Sequence, residues 1–549
     1  MQRKKRILFV TESHKLASGF GTYGKEVISR IHKSGKYEIA EFACYASPRD
    51  FDNTDWLIYG NAPVKGEDEY AEQHTKSPHV QWGVARFEYV VLDFKPDIVV
   101  TYRDPWMDAY IADSVLLPYF HWVWMPTVDS APQKSEWLYM FDKCDDLLAY
   151  SEYGIRTLSE QTQGRVCPVD VAPPAIDPNV FNIIPNKRKH KESVGIDPDS
   201  IIFGTVMRNQ KRKMFPDLML SFKKYLEKAP KDIAEKSFLY LHTSFPEKSG
   251  WDITSVIHEL GLGSKVLVTY VCRHCKKYFV SNFRDAICQC DYCKNISATM
   301  PGVQNGIEHS ELHKIYNLMD LYIQYAICEG FGMPQVEAAA CGTPIASIDY
   351  SAMEDVVRYC NGYPIKPHLQ REMETNADRS SHNNDHLVEI MISFASQSEP
   401  EIKKQRLQTR KGCITRYNWD RTAKVWEDYF DSIKNFKESH GKWDEPPKVK
   451  EFPKELPKDM SHGQFCELMF TQVIQDPKEM FSYKMLSMLR NLNFGADIER
   501  GLESCSQESV FKENMGLAER RLFFDKLRTK QIGVNTPPFI AEAHRRLKK

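Results

Sequence analysis

Two glutamates, Glu329 and Glu337, lie eight residues apart across a glycine-rich stretch of the chain. The apolar run 321–326 before them predicts a buried strand, and Pro334 suits the first position of a helix, where the N–H that proline lacks would be unpaired. A helix N-terminus offers free N–H groups and the positive end of a dipole, which suits a phosphate. Ionised carboxylates only accept hydrogen bonds, so near a phosphate they suit sugar hydroxyls. The stretch therefore predicts a site for a sugar joined to a phosphate.

The stretch 328–344 closely resembles the nucleotide-sugar motif of retaining GT-B glycosyltransferases, the family 4-like group that includes glycogen synthases and bacterial mannosyltransferases. The resemblance covers roughly residues 4–435. It implies the α/β fold class, with two Rossmann-like domains facing a cleft. It also implies retaining transfer of a sugar from a nucleoside-diphosphate sugar to a hydroxyl acceptor.

The same resemblance assigns the contacts of the donor to four residues of this stretch. Glu337 would hold the ribose hydroxyls of the nucleotide. Glu329 would hold the sugar, and the backbone amides of Phe331 and Gly332 would hold the sugar and the phosphate. In the resembled family, retention is described as substitution on the front face of the sugar, so no protein nucleophile is assigned.

Two cations and an aspartate take further roles by resemblance. Arg208 and Lys213, after the predicted strand 201–206, match the arginine and lysine that clamp the donor diphosphate. Fixed cations stabilise the negative charge that grows on the leaving nucleoside diphosphate, and no catalytic metal is expected. Asp129 ends the predicted strand 119–129. Because ligands of parallel sheets lie beyond the carboxyl ends of strands, Asp129 would contact the sugar or the acceptor.

A Gly-x-Gly pattern, Gly19 and Gly21, follows the first apolar run, 7–10, and precedes a predicted helix. A strand, a glycine turn and a helix form the opening of a Rossmann-like half. A plain tight turn has the same pattern, so the glycines alone are weak evidence. By position in the resembled family, this turn faces the donor phosphates and the acceptor across the cleft.

Four cysteines have the spacing of a metal site. Cys272 with Cys275, and Cys290 with Cys293, form two Cys-x2-Cys pairs separated by a short loop. This is the pattern of a zinc ribbon with four thiolate ligands, and such a closed site is structural because it leaves no position for water. Cys288 is a spare. The resembled family does not need this ribbon, whose aromatic and basic residues could touch an acceptor or form the ribbon's own small core.

The chain divides into two Rossmann-like domains, a linker and a helical region. The predicted boundaries are 1–172 for the N-terminal, acceptor-side domain, 173–435 for the C-terminal, nucleotide-sugar-binding domain, 271–300 for the zinc-ribbon insertion within it, 436–460 for a linker rich in proline and charge, and 461–549 for a helical accessory domain. The prolines near the first boundary forbid continuous secondary structure. Helices predicted in the last region span 465–473, 484–492 and 515–530, and they could bind a protein partner.

The bulk properties favour a cytoplasmic protein. The net charge of -1 gives no global attraction to nucleic acid or to an anionic membrane. No apolar stretch approaches the length that spans a bilayer, and the basic start is followed by an apolar run too short for a signal peptide. Fourteen cysteines without a secretion signal favour reduced thiols.

Two other functions stay open at this point. The ribbon could grip tRNA or DNA, which would make the protein a nucleic-acid-modifying glycosyltransferase whose activity falls steeply with salt. An inactive scaffold or sugar-nucleotide sensor is the third hypothesis, and the intact motif residues argue against it. The sequence predicts neither the base and sugar of the donor nor the acceptor, which could be a glycan, a lipid-linked or a protein hydroxyl.

Overall fold

The computed structural model describes residues 3–433, except 17, 47–50, 52–53, 115 and 303–304, and also residue 443 and residues 537–547. The predicted linker 436–460, apart from residue 443, and the predicted helices 465–473, 484–492 and 515–530 lie outside these residues. Within the described ranges, every helix is too short or too polar to cross a bilayer.

Residues 3–171 build a parallel sheet from short apolar runs. Its strands are β1 Arg6–Glu12, β2 Glu38–Cys44, β3 Leu57–Gly60, β4 Ile98–Thr101, β5 His121–Trp124, β6 Asp146–Ala149 and β7 Asp170–Val171. Their order is β3-β2-β1-β4-β5-β6-β7. The helices of this region are α1 Gly19–Lys33, α2 Asp68–Lys76, α3 Pro78–Trp82, α4 Phe87–Phe94, α5 Pro105–Ala112, α6 Ser135–Lys143 and α7 Glu152–Gln161. Strands buried on both faces, such as β4, suit a sheet covered by helices on both sides.

A second sheet begins after the proline-dense crossing. Its strands are β8 Ile201–Val206, β9 Ser237–His242, β10 Val266–Cys272, β11 Tyr278–Asn282, β12 Ile287–Gln289, β13 Ile296–Thr299, β14 Leu321–Gln324, β15 Ile345–Ile348 and β16 Tyr363–Ile365. Their order is β12-β13-β10-β9-β8-β14-β15-β16, and β11 also pairs with β10. The strands β11, β12 and β13 are antiparallel additions, and they carry the cysteine-rich insertion at one edge of the sheet.

The remaining elements surround the second sheet or return to the first. A separate hairpin consists of β17 His368–Arg371 and β18 Asp378–Ser381. The helices are α8 Lys187–Ser193, α9 Phe215–Lys228, α10 Lys231–Lys236, α11 Ile253–Glu259, α12 Leu312–Leu318, α13 Met333–Ala340, α14 Ala352–Tyr359, α15 Asn384–Ala395, α16 Glu399–Arg416, α17 Trp419–Ser432 and α18 Pro538–Leu547.

Helix α17 packs on the first domain although it follows the second in sequence. It lies against α1, and Trp426 Nε1 donates a hydrogen bond to the hydroxyl of Tyr23 at 2.7 Å. Lys5 Nζ reaches the carbonyl of Phe430 at 2.5 Å. The predicted range 173–435 includes this helix in the C-terminal domain, but its buried face belongs to the core of the N-terminal one.

Helix α18 also packs on the first domain. Its apolar face, which includes Phe539 and Ile540, is buried beside β3. The guanidinium of Arg86 lies 4.2 Å from the ring centre of Phe539, and His544 Nε2 lies 2.6 Å from Asp93 Oδ2. The sequence places these residues in a helical accessory domain, yet this segment completes the covering of the first sheet.

The two domains contact each other directly. The N-terminal amides of α7, those of Glu152 and Tyr153, donate to Asp355 Oδ2 at 2.6 and 3.2 Å. Asp355 lies on α14 of the second domain, so its carboxylate caps a helix of the first. The backbone N–H of Asp378 in β18 donates to the carbonyl of Ala131 at 2.8 Å. Both contacts hold the cleft walls together.

Candidate active site

The glycine-rich loop before α13 needs glycine at its last position. Gly332 has φ +87°, a left-handed conformation that favours glycine, and a Cβ there would lie 2.8 Å from Gln335 Nε2. Gln335 in turn donates to the carbonyl of Phe331 at 3.0 Å and fixes the loop. Among the described residues, the backbone N–H groups of Phe331 and Gly332 have no acceptor. They are therefore free to bind a ligand at the start of α13.

Glu329 is buried in this loop and bonded on two sides. Its carboxylate pairs with the ammonium of Lys213, and Oε1 also accepts from Gln324 Nε2 at 3.0 Å. Its backbone N–H donates to Ser351 Oγ at 3.1 Å. The structure thus brings together Glu329 and Lys213, two of the predicted site residues that lie more than a hundred positions apart.

Lys213 reaches the loop from a 3-10 turn, Lys211–Lys213, that follows β8. The carbonyl of Arg212 accepts from the N–H of Ile327 at 2.9 Å, which joins the turn to the glycine-rich loop. Burial, and after it the neighbouring Arg212 guanidinium, lower the pKa of Lys213, whereas the Glu329 carboxylate in direct contact with it favours the ammonium form. A desolvated cation of this kind interacts strongly with an incoming anion.

Glu337 lies one turn into α13 and is also buried. Its Oε2 accepts from the hydroxyl of Tyr316 at 2.6 Å, and its Oε1 lies 3.1 Å from His309 Nε2. The hydrogen bond to Glu337 raises the pKa of His309. More than half of the His309 side chain is exposed, so hydroxyls of a ligand can take its place at Oε1.

Arg208 has a different partner from the one that the sequence predicts for it. Its guanidinium forms a two-point contact with Glu247, at 2.8 Å and 3.2 Å. The contact raises the pKa of Arg208, and about half of its side chain is exposed. A clamp on a diphosphate would require Arg208 to exchange Glu247 for phosphate oxygens.

Asp129 lies farther from a strand than the sequence predicts. Strand β5 ends at Trp124 because Pro126 soon follows and has no N–H for the ladder, so the predicted strand 119–129 is wrong beyond that point. Asp129 Oδ2 lies 3.0 Å from Arg379 Nη1 and accepts from Cys328 Sγ at 3.4 Å. The aspartate therefore touches the glycine-rich loop of the second domain.

The glycines near the N-terminus lie within a helix rather than in a turn before it. Gly19 and Gly21 are in the first turn of α1, whose N-cap Ser18 accepts from the N–H of Gly21 at 3.0 Å. A Cβ on Gly21 would lie 2.4 Å from the carbonyl oxygen of Leu16, whereas one on Gly19 would meet nothing within 4 Å. Close backbone approach thus requires glycine at position 21 alone.

The four predicted cysteine ligands lie together. The sulfurs of Cys272, Cys275, Cys290 and Cys293 are all within 4.8 Å of one another, and two of the separations are 3.6 Å and 3.7 Å. A tetrahedral zinc with bonds of about 2.3 Å places its sulfur ligands roughly 3.8 Å apart. The donor set and its spacing therefore fit a structural zinc ion. Cys288 is buried nearby but is not in the cluster.

Sequence reasoning missed several residues that hold the site. Gln324 supports Glu329, Tyr316 and His309 support Glu337, and Arg379 pairs with Asp129. Only Gln324 carried a signal, as a polar residue within an apolar strand. The others come from segments without a motif, and only the folded chain brings them to the cleft.

Comparisons with known proteins identify the fold and one matching family. Residues 301–395 match the family described as glycosyl transferases group 1. No curated protein sequence matches the chain significantly. Among solved structures, the chain is similar to sucrose-phosphate synthase from Thermosynechococcus elongatus, with 13% identity, 78% of this chain and 99% of that chain covered, and a TM-score of 0.54.

Two further solved structures have the same architecture. A glycosyltransferase from Rickettsia africae is 16% identical over 79% of this chain and 100% of its own, with a TM-score of 0.54. HepE from Anabaena, in complex with UDP and glucose, is 13% identical over 78% of this chain and 100% of its own, with a TM-score of 0.53. At these identities, the likeness defines the fold alone.

The predicted fold class is confirmed, because the chain has the GT-B fold with two parallel Rossmann-like sheets. The cysteine cluster marks an insertion in this fold that can bind zinc. The family match includes Glu329, Glu337 and all of α13. Together, the match and the fold support a glycosyltransferase.

Proposed function

We propose that this protein is a retaining glycosyltransferase that moves a sugar from a nucleoside-diphosphate sugar to a hydroxyl acceptor. The observation that carries the proposal is the buried ion pair of Lys213 and Glu329 beside the start of α13. Removing two charges from water costs free energy, and perturbed charged groups of this kind cluster at functional sites. A donor uses both, because phosphate binds an ammonium and sugar hydroxyls bind a carboxylate.

The donor would lie along the loop and the first turn of α13. The free N–H groups of Phe331 and Gly332 and the ammonium of Lys213 would bind the diphosphate, and Arg208 would join them by leaving Glu247. Glu337 would hold the ribose hydroxyls in place of His309. The complex of HepE with UDP and glucose supports a nucleotide sugar as the donor class.

The chemistry then follows from where charge grows. As the bond between the sugar and the phosphate breaks, its electron pair moves to the diphosphate, whose new charge is stabilised by Lys213 and the helix amides. The acceptor hydroxyl attacks the same face of the sugar, and its proton passes to the leaving phosphate oxygen. Gln324 and Lys213 hold the Glu329 carboxylate in place for the sugar hydroxyls.

The zinc ribbon would have a structural role in this account. Four thiolates complete the coordination of zinc, so the ion would hold β10, β12 and the loops after them together. An alternative role is supported by exposed cations on the ribbon, Arg273, Lys276 and Lys277, which could bind an RNA or DNA acceptor. A fall in activity of several powers of ten with added salt would favour that alternative.

A transfer assay tests the proposal. Zinc-replete protein is incubated with a panel of UDP-, GDP- and ADP-sugars and hydroxyl acceptors, and the anomeric configuration of the product is read by NMR. We expect product with the configuration of the donor. The substitution Lys213→Met should reduce activity by about a hundredfold or more. Lys211→Met, which removes an exposed cation from the same turn, should retain activity. An inverted product would contradict the retaining mechanism.

A further inference from the structure

A small pocket lies between the two domains, next to the proposed donor site. We call it the indole pocket, and its volume is about 110 Å³. Its main lining residues are Asp104, Trp106, Asp129, Gln133, Trp137 and Arg379. The first five belong to the first domain, and Arg379 is in the hairpin of the second. The pocket is thus complete only when the domains are together.

Two tryptophans form the apolar side of the indole pocket. Trp106 follows Pro105 at the start of α5, and nearly half of its large side chain is exposed. Trp137 lies on α6, with its ring centre 5.8 Å from that of Trp106 and a tilt of 47° between the rings. The half-exposed ring of Trp106 offers an apolar face with a polar N–H edge, which suits a ligand with one apolar face.

The opposite side is polar, and the pocket lining carries two carboxylates, Asp104 and Asp129, and two cations, Lys134 and Arg379. Asp104 and Asp129 both line it, and burial raises the pKa of Asp104 to about 6. The guanidinium of Arg379 is already shared between Asp129 and Glu372, at 3.0 Å and 3.1 Å. A ligand with several hydroxyls could donate to the two carboxylates of this side.

Gln133 adds an unsatisfied acceptor to the pocket wall. It is almost fully buried, and its Nε2 donates to the carbonyl of Ser130 at 2.7 Å. Among the described residues, its Oε1 has no hydrogen-bond partner. This oxygen is itself buried, so Gln133 shapes the wall of the pocket and is assigned no contact with the ligand.

The indole pocket shares a wall with the glycine-rich loop. Asp129 contacts Cys328, the residue before Glu329. A Cβ on Gly330 would lie 2.4 Å from Thr127 Cγ2, so the loop presses on the same segment of the first domain. A ligand in the indole pocket would therefore lie beside the place proposed for the donor sugar.

We propose that the indole pocket binds a sugar ring of the acceptor, which makes the acceptor a carbohydrate. The C–H face of the ring packs on Trp106, and its hydroxyls donate to Asp104 and Asp129. The inference rests on the proposed function, because it assigns the acceptor of that same reaction.

The test measures glycoside binding to the full, zinc-replete protein by saturation-transfer NMR and calorimetry. The probes are methyl α- and β-glycosides of glucose, galactose and mannose, and sorbitol is the open-chain control. Each probe is titrated with and without UDP, GDP and ADP. We expect at least one methyl glycoside to bind and sorbitol not to bind. Trp106→Ala should weaken that binding about tenfold or more, and Trp106→Phe should restore most of it.

A matched control separates a local effect from a general one. Trp82 lies on α3 and does not line the pocket, so Trp82→Ala should leave glycoside binding unchanged. Absence of glycoside binding under all conditions, or equal binding by wild type and Trp106→Ala, would overturn the inference. The nucleotides report on the donor site separately: if none of them binds to any variant, the proposed function fails, whatever the glycosides do.

Discussion

Arg379 Nη1 of the second domain lies 3.0 Å from Asp129 Oδ2 of the first, so one ion pair joins the two walls of the cleft. The same guanidinium contacts Cys328 Sγ at 2.9 Å and Glu372 Oε2 at 3.1 Å. The position of Asp129 therefore depends on the hairpin of β17 and β18. Asp129, which the sequence analysis assigns to the sugar or the acceptor, is thus held by Arg379, a residue that belongs to no recognised motif.

Removal of this cation should destabilise the protein. Arg379→Met leaves the Asp129 and Glu372 carboxylates without their partner, and we expect a loss of about 1–3 kcal/mol in the free energy of unfolding, measured in urea. Arg371→Met is the matched control, because Arg371 is in the same hairpin but half exposed. Its effect should be within about 0.5 kcal/mol. Equal effects of the two substitutions would show that the ion pair does not hold the domains.

The cysteine cluster should bind one zinc ion per chain. Cys290→Ser removes one of the four thiolates, so we expect zinc content measured by mass spectrometry to fall and the melting temperature to drop. Chelation of wild-type protein should have the same effect on melting. Cys288→Ser is the control, since this cysteine is buried in the same insertion outside the cluster. Zinc retained by Cys290→Ser would contradict the assignment.

Asp104 predicts a pH dependence of stability. Burial raises its pKa to about 6, the nearby Asp129, Asp108 and Glu12 carboxylates act in the same direction, and the Thr127 hydroxyl opposes them. The folded state then binds the proton more tightly than the unfolded state, so the ionised carboxylate reduces stability as pH rises from about 4 to about 6.

Asp104→Asn removes that titration. Relative to wild type, the variant should gain stability across this pH range, by up to about 3 kcal/mol in the free energy of unfolding. The measurement is the difference between the two proteins in urea unfolding at a series of pH values. A difference that does not change with pH would show that Asp104 titrates normally.

Helix α18 should contribute to the stability of the first domain. Phe539 is buried against Arg86 and Tyr89, so Phe539→Ala should cost about 3 kcal/mol in the free energy of unfolding. Leu547→Ala, at an exposed position of the same helix, should cost less than about 0.5 kcal/mol. If both substitutions have the small effect, α18 unfolds separately from the domain.

The fold was predictable because apolar runs mark the buried parallel strands. The runs 7–10, 201–206 and 321–326 coincide with β1, β8 and β14 to within a few residues. Helix α18 escaped the prediction, although Pro538 begins it and its apolar residues share one face. Neither its docking on β3 nor the return of α17 to α1 can be read from a pattern, because both depend on contacts across hundreds of residues.

The candidate site was predictable only where a motif carries it. The four cysteines are found by local spacing, and Glu329, Glu337 and Lys213 are proposed from the resemblance of their segments to a family motif. The partners of these residues are set by packing, as Tyr316 and His309 are for Glu337. The contact of Arg208 with Glu247 likewise depends on another loop, and the motif carries no signal for it.

The measurement that tests the central claim most directly is thermal stabilisation of zinc-replete protein by UDP, GDP, ADP and their sugars. A ligand that binds the folded state at a hundred times its dissociation constant adds about 2.7 kcal/mol of stability. We predict that one base raises the melting temperature, and that Glu337→Gln weakens this shift while Glu389→Gln, at an exposed position of α15, retains it. No shift with any nucleotide or sugar nucleotide would contradict a donor site at Glu329, Glu337 and Lys213.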